Sequence, residues 1–412
     1  MVRKVFDRAS WSARLCAALL FCVSMGAQAQ TTVNVSTAAQ LQSAVSSANG
    51  AGGNRIISLA DGTYTLNDTL YVNAPNISIV GASGNRANVV IQGTGMSSSA
   101  SVGTVIRVAG SGFGLRYVTL QKSKYHLIQV VGEENADAPT IRDCILRDAY
   151  EQMVKVSIGS DPGVTADNGL VENCLFEYTA GIGPQYYIGG IDAHGAKNWN
   201  VRGNTFRNIA SPSGSVAEFA VHFWNGSANN TVEKNVIIDC DRGIGFGLET
   251  RPNSGGVIRN NMIYHSANSH PYADSAIALS ESPNSKVYNN SVYQANSYPW
   301  AIEYRFGSTS GIEVSNNLVN KQIVARDGAS GTVSNNVTNA ASGWFVSPAT
   351  GNLHLASAQS SVVDQGKTIS GLTDDFDGET RPAGSAPDIG ADEYGSAPAP
   401  VKPNPPTDVR VN

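Results

Sequence analysis

A short pattern, apolar-x-x-[Asn/Cys]-x-apolar, recurs along this chain at nearly regular spacing and dictates what it can fold into. It reads IRDCIL at 141, VENCLF at 171, VRGNTF at 201, VEKNVI at 232, IRNNMI at 258, VYNNSV at 287, VSNNLV at 314 and VSNNVT at 333. Successive copies start 19 to 31 residues apart, enough in most coils for three short strands and their bends. Self-similarity at such a period marks a repeat architecture, in which each unit buries its apolar face only by stacking on its neighbours. A second element of the form apolar-x-apolar-x accompanies the copies: VKVS at 154, IDAH at 191, VHFW at 221, IGFG at 244, IALS at 277, IEYR at 302 and IVAR at 323. Alternation with period two puts successive side chains on opposite faces of a strand. Such strands, one full turn apart and never joined by two-residue hairpins, predict an all-β parallel solenoid with coils about 4.8 Å apart.

The polar position of the pattern has its own logic. Asn204, Asn235, Asn261, Asn290, Asn317 and Asn336 fall at one bend of successive coils, where each amide can bond its neighbours in a ladder. Cys144 and Cys174 hold the same column in the two preceding coils. Stacking brings them near disulfide distance, and the expectation is two buried thiols that continue the ladder. With Cys240, three cysteines follow residue 29, so at least one is unpaired within the chain.

Solenoid ends expose the core and need caps. Thr37 and Gln40 make a capping box, and Leu41, Ala44, Val45 and Ala48 recur on one helical face, so a helix over 37–49 is expected to close the N-terminal end. The solenoid is assigned to 30–342 and a C-terminal extension or cap to 343–395. Within the extension, Asp374, Asp375 and Asp377 lack the full EF-hand pattern and read as a solvated acidic turn. Residues 396–412 are Pro-rich, a linker or tail. Residues 1–29 read as a secretory signal peptide. Arg3, Lys4, Arg8 and Arg14 precede an apolar run over 15–25, and Ala27-Gln28-Ala29 fits a small-x-small cleavage site. No apolar run reaches the roughly 20 residues of a membrane helix. An exported monomer without a membrane span is expected. After the signal, 24 basic residues face 32 acidic ones, without the clustered basic surface of a nucleic-acid binder.

Alternation also sorts the candidate site. Outward positions, coil by coil, are Lys155 and Ser157, Asp192 and His194, His222 and Trp224, then Gly245 and Gly247. Glu249 and Arg251 follow if that strand stays extended. Ala278 with Ser280, Glu303 with Arg305 and Val324 with Arg326 continue the column. The inward partners, among them Val154, Ile191, Val221, Phe223, Ile244, Phe246, Ile277, Leu279 and Ile302, are all apolar. The small outward residues predict a dent about two coils deep, roughly 10 Å along the axis.

Residues 32 to about 340 resemble the pectate-lyase-like superfamily of right-handed parallel β-helices, through the entry DGTYTL, the VxxN-type coils and the capping helix. The ending PDIGADEYG is similar to the C-terminal segment of many secreted bacterial β-helix proteins. The resemblance implies a right-handed parallel β-helix with an N-terminal capping helix. That superfamily holds polysaccharide lyases, glycoside hydrolases, esterases, epimerases and non-catalytic adhesins, so the fold alone does not choose a function. One coil is narrower in its likeness. GGIDAHGAKNWNVRGNTF resembles the Asp-Pro-His-Asp coil of mannuronan C5-epimerases, with Asp192 and His194 on matching positions, Ala193 in place of Pro and Gly195 in place of the second Asp.

β-Elimination from a uronate needs a neutralised carboxylate, a base for the C5 proton and an acid for the leaving oxygen. Arginine or Ca²⁺ serves the first. Histidine titrates nearest neutral pH, so His194 or His222 is the expected base, with Asp192 orienting an imidazole and Arg251 or Arg305 neutralising. Lys155 is a rival base. Tyr264, Tyr304 and His270 are weaker candidates for the acid, and Tyr304 falls at an inward position. Trp224 is placed to stack on a sugar, and Gly245, Gly247, Glu249, Ser280, Glu303 and Arg305 to line a groove for about two sugar units. Glu303 and Arg305 can equally be read as a surface ion pair. His126, His265 and His354 stand apart from the column. Asp192, His194 and His222 can be read as metal ligands, but they lack an obvious fourth partner and the HExxH spacing. The leading expectation is a secreted lyase of an acidic polysaccharide. A uronate C5-epimerase, a non-catalytic carbohydrate-binding or adhesin solenoid and a glycoside hydrolase are the alternatives. The last needs two carboxylates flanking the bond, and the column offers only Asp192 and Glu249.

Overall fold

The structure, a computed structural model, describes residues 30–212, 214–267 and 273–395. The signal at 1–29, the tail at 396–412 and His270 lie outside the described residues. Three parallel sheets of twelve, ten and ten strands run along one tube. A typical coil gives Val154–Ser157 to one ten-stranded sheet, Leu170–Glu172 to the twelve-stranded sheet and Leu175–Glu177 to the other ten-stranded sheet. Register holds from coil to coil, as where Val171 pairs with Ile141 on one side and Val201 on the other. The inward residues of all three sheets form one continuous apolar core.

The repeated pattern marks the sharp bend between the twelve-stranded sheet and the third sheet. Asn204 Nδ2 donates to Asn235 Oδ1 at 3.0 Å, and the same bond recurs from Asn235 to Asn261, Asn261 to Asn290, Asn290 to Asn317 and Asn317 to Asn336. The ladder satisfies backbone N–H groups that point into the tube, where no water can reach them. Cys174 N donates to Asn204 Oδ1 at 2.9 Å, and Cys144 and Cys174 are free, buried thiols. The residue before each ladder position adopts positive φ: Asn173, Gly203, Asn260, Asn289, Asn316 and Asn335 among them. Asparagine and glycine tolerate this left-handed conformation best, which explains the recurring Asn-Asn pairs.

The N-terminal helix Ala38–Gly50 packs over the first coils, with Leu41, Val45 and Ala48 buried and Ala44 partly so. Thr37 Oγ1 accepts from Gln40 N at 3.2 Å, while Gln40 Oε1 reaches one residue further back, to Ser36 N at 2.8 Å. Among the described residues, no helix is long and apolar enough to cross a membrane.

The C-terminal extension does not cover the last coil. The last coil, Gln322–Arg326 and Gly331–Ser334, has no fully buried residue, and Val333 is 44% exposed. Instead, the extension turns back along the flank of the tube as a strap. Its apolar side buries Phe345, Leu353, Leu355, Val362 and Ile389 against Met262 and Leu318. The left-handed asparagines hold it: Asn316 donates to Lys367 O, Asn289 to Asp388 O and Asn260 to Asp374 O, at 2.8 to 3.0 Å. The first Asn of each pair therefore ties down the strap, and the second builds the ladder.

The acidic run is also not a solvated turn. Asp375 is fully buried and accepts Glu379 N and Glu393 N, and Asp374 pairs with Lys234 at 2.6 Å. Only Asp377 of the three stays exposed. Buried Arg381 pairs with Glu393 at 3.0 Å and donates to the carbonyls of Asp388 and Gly390. DDFDGETRP and PDIGADEYG thus close on each other.

Candidate active site

The outward column lies on the ten-stranded sheet that carries Val154–Ser157, Ile191–His194, Phe219–Trp224, Arg242–Phe246, Ile277–Ser280 and Trp300–Arg305. Lys155 pairs in register with Asp192, Asp192 with His222, His222 with Gly245, Gly245 with Ala278 and Ala278 with Glu303. His194 pairs with Trp224 in the next row. Parallel stacking at one register therefore brings together residues far apart in sequence.

Lys155, Asp192 and His194 form one hydrogen-bonded cluster. The Lys155 ammonium pairs with Asp192 Oδ2 and lies 2.9 Å from His194 Nε2. Trp224 Nε1 donates to Asp192 Oδ1 at 2.5 Å. Burial alone would raise the Asp192 pKa, but His194 and the Lys155 charge more than offset it and hold the carboxyl well below its ordinary range. An ammonium can only donate, so Nε2 is the acceptor in this contact and Nδ1 is the ring nitrogen that carries a proton. Asn225 Nδ2 lies 3.1 Å from that nitrogen, and turning the amide over, which exchanges its oxygen and nitrogen, gives Nδ1–H an acceptor. The side chains of Lys155 and His194 keep 13% and 14% exposure, against 4% for Asp192, so the cluster opens to solvent at its basic edge.

His222 is a different case. It shares the outward face but is fully buried, stacked parallel to Trp224 at 5.2 Å and tilted against Phe219 at 4.8 Å. Its Nε2 donates to Gly247 O at 3.2 Å, and its Nδ1 has no hydrogen-bond partner among the described residues. Glu218 Oε2 lies 3.8 Å from that Nδ1. Burial pushes the His222 pKa down to about 4, which keeps the ring neutral, and burial pushes that of Glu218 up. His222 is thus a packed, neutral imidazole beneath the surface, not an open base.

The predicted glycine dent is filled. A Cβ on Gly245 would sit 2.7 Å from the Phe219 ring, so this glycine makes room for a side chain of the protein. Gly247 has φ +73°, and a Cβ there would meet Ser280 O at 1.8 Å. It is a turn residue beyond the strand end at Phe246. The strand does not stay extended: Leu248 and Arg251 bond to each other's backbone across a turn, with exposed Glu249 at φ 42°. That turn brings the Arg251 guanidinium over the Trp224 ring at 5.1 Å. No carboxylate among the described residues pairs with Arg251, so its charge is available.

Other predicted positions fall away from the cluster. Glu303 and Arg305 are not each other's partners: buried Glu303 pairs with Arg326 at 2.5 Å and accepts Tyr298 OH, while Arg305 pairs with Asp327 at 2.7 Å. They stand three coils beyond His222, about 14 Å at the coil spacing, with Ser280 one coil nearer. Tyr304 is buried, as its inward register requires, and Tyr264 stacks with Tyr293 on another sheet. Asp192, His194 and His222 do not converge as metal ligands, because Asp192 is taken by Lys155 and Trp224 and His222 turns to Gly247. His265 bonds Ser266 O, and His126 bonds Gln152 O with burial lowering its pKa to about 4.

Residues 189–357 match the family model described as the right handed beta helix region. The chain is a right-handed parallel β-helix. Solved structures similar to this β-helix include pectin methylesterase PemA from Erwinia chrysanthemi, at 14% identity over 66% of this chain and 82% of that one, TM-score 0.35. The Azotobacter vinelandii mannuronan C-5 epimerase AlgE6 A-module is similar at 14% identity over 74% and 95%, TM-score 0.34. The PL6 family alginate lyase AlyGC is similar at 12% identity over 90% and 60%, TM-score 0.31. No curated protein sequence matches the chain.

Sequence reasoning missed three residues on this face of the β-helix. Arg107 lies two coils before Lys155 in the same column, through Gln129, and no carboxylate of the described residues pairs with it. Extending the alternation to VIRV at 105 would have found it. Asn225 and Glu218 lie just outside the alternating tetrapeptide, where the chain bends and period two gives no direction.

Proposed function

We propose that this β-helix is an exported enzyme that removes the C5 proton of a uronate in an acidic polysaccharide and cleaves the chain by β-elimination. The observation that carries the reading is the convergence of Lys155, Asp192 and His194 at a solvent-facing edge, beside Arg251, with which no carboxylate among the described residues pairs. A uronate carboxylate draws the Lys155 ammonium away from His194 Nε2, and that nitrogen then takes the C5 proton. Lys155 and Arg251 stabilise the charge that moves onto the carboxylate. The electron pair closes to a C4=C5 double bond, the C4–O4 bond breaks, and the imidazolium returns its proton to O4. Asp192, fixed by the Trp224 indole, holds Lys155 in place. Arg107, about 10 Å along the column, holds a second carboxylate. A second reading, C5 epimerisation, is favoured by the Asp192-x-His194 coil. It shares the proton abstraction and differs in reprotonation on the opposite face.

The test is incubation with a panel of uronate polymers, following ultraviolet absorbance of the unsaturated product and C5 configuration by NMR. Lyase activity that falls by about 10²–10⁴-fold in both Lys155→Ala and His194→Ala is expected. Inversion at C5 without unsaturation selects the epimerase. Silence in both readouts across the panel sinks both readings and leaves a binding solenoid.

A further inference from the structure

A second cluster of titratable groups lies in the C-terminal strap. His354 comes from the strand Asn352–Leu355, Asp377 from the turn of DDFDG and Asp392 from GADEY. One ligand atom from each residue lies within 4.8 Å of the others. His354 Nε2 is 2.7 Å from Asp377 Oδ2, and Nδ1 is 2.6 Å from Asn352 Oδ1. Asn352 Oδ1 also accepts the His354 backbone N–H at 3.2 Å, which fixes the amide with its oxygen toward the ring. Both ring nitrogens therefore face oxygen acceptors. A neutral imidazole can give a proton to only one of them. Nδ1–H donates to Asn352, and the 2.7 Å contact between Nε2 and the carboxylate is then held either by a second ring proton or, with a small shift of the side chains, by a metal ion that replaces it. An outer oxygen that holds the other N–H is also the device by which metal-ligating histidines are oriented.

The surrounding charge agrees. Asp375 is buried alongside, and among the described residues no Lys or Arg pairs with Asp377 or Asp392. Lys234 is spent on Asp374 and Arg381 on Glu393. Asp392 gives one oxygen to Leu355 N at 3.0 Å, and among the described residues no hydrogen bond occupies the other. We propose that His354 Nε2, Asp377 and Asp392 form a three-ligand site for a divalent transition-metal ion, zinc by its donor set, that clasps the strap to itself. An imidazole with two carboxylates suits zinc, whereas calcium takes six to eight oxygens. The ligands are 23 and 15 residues apart along the chain, so one ion would close two loops within the strap.

The test uses the full chain stripped with a chelator and titrated near neutral pH with Zn²⁺, Mn²⁺ and Ca²⁺ in separate calorimetric runs. Zn²⁺ binding at one ion per chain, with a rise in melting temperature, is expected. Asn352→Ala should weaken it about 10–100-fold, and His354→Gln should abolish it. Asp377→Asn, at an exposed position that leaves the fold intact by circular dichroism, should weaken Zn²⁺ at least tenfold. Absence of saturable Zn²⁺ binding, or binding that Asp377→Asn and His354→Gln leave unchanged, overturns the site. A His354 ring that stays doubly protonated by NMR with excess Zn²⁺ also overturns it, because the cation between the oxygens is then a proton. None of these readouts involves enzymatic activity, so the outcome is independent of the proposed lyase.

Discussion

Acid should weaken the β-helix through His222, and the size of the effect follows from its burial. The ring is fully buried and its pKa is pushed from the ordinary 6.5 to about 4. Between those values the unfolded chain binds a proton that the folded chain refuses, so stability rises with pH across this window and is lost as pH falls through it. The slope for one group is about 1.4 kcal/mol per pH unit, giving about 3 kcal/mol over the window. The charges facing the ring are Asp192, Arg242, His194 and Glu218. Glu218 acts in the opposite sense, since its raised pKa gives stability at low pH that is lost as pH rises. The assay is urea unfolding at intervals from pH 7 to 4, comparing the protein with His222→Gln, which keeps a donor for Gly247 O but cannot titrate. Other carboxylates, and His126, contribute equally to both proteins and cancel in the difference. His222→Gln should lose about 3 kcal/mol less than the parent over this range. Parallel loss in the two proteins would refute the neutral, packed imidazole and return His222 to the list of accessible bases.

Two further substitutions test the packing. Gly245→Ala puts a Cβ 2.7 Å from the Phe219 ring, and overpacking of this kind should cost about 1–3 kcal/mol in thermal or urea unfolding. An unchanged melting temperature with weakened substrate binding would instead mean that Gly245 floors a groove. Asn261→Ala leaves the buried Asn235 N–H without its acceptor and removes donors from Val232 O and Asn290 Oδ1. About 2–4 kcal/mol of destabilisation is expected, read as a shift in urea midpoint.

Much of the site could be read from the chain because a parallel stack converts sequence periodicity directly into spatial columns. Lys155, Asp192, His194, His222 and Trp224 were placed on one face from alternation alone, and the structure pairs them in that register. Alternation gives direction but not cover. It could not say that Phe219 would lie across Gly245, or that His222 would end beneath the surface, because the covering ring belongs to the first residue of the strand, ahead of the alternating tetrapeptide. Beyond Phe246 the period fails at Gly247, and Arg251 reaches Trp224 through a turn that no strand pattern encodes.

The all-β solenoid, the capping helix and the asparagine ladder were set by local chemistry that repeats: an apolar period, a bend requiring an amide, a helix with its own cap. Those signals act within a coil or between adjacent ones, so the sequence alone carries them. The course of the C-terminal strap, the closure of Arg381 on Glu393 and the meeting of His354 with Asp377 and Asp392 depend on segments that touch only after the tube exists. The first asparagine of each pair shows the difference. Its left-handed backbone is a local necessity, while its hold on the strap exists only because stacked coils align those amides into a rail.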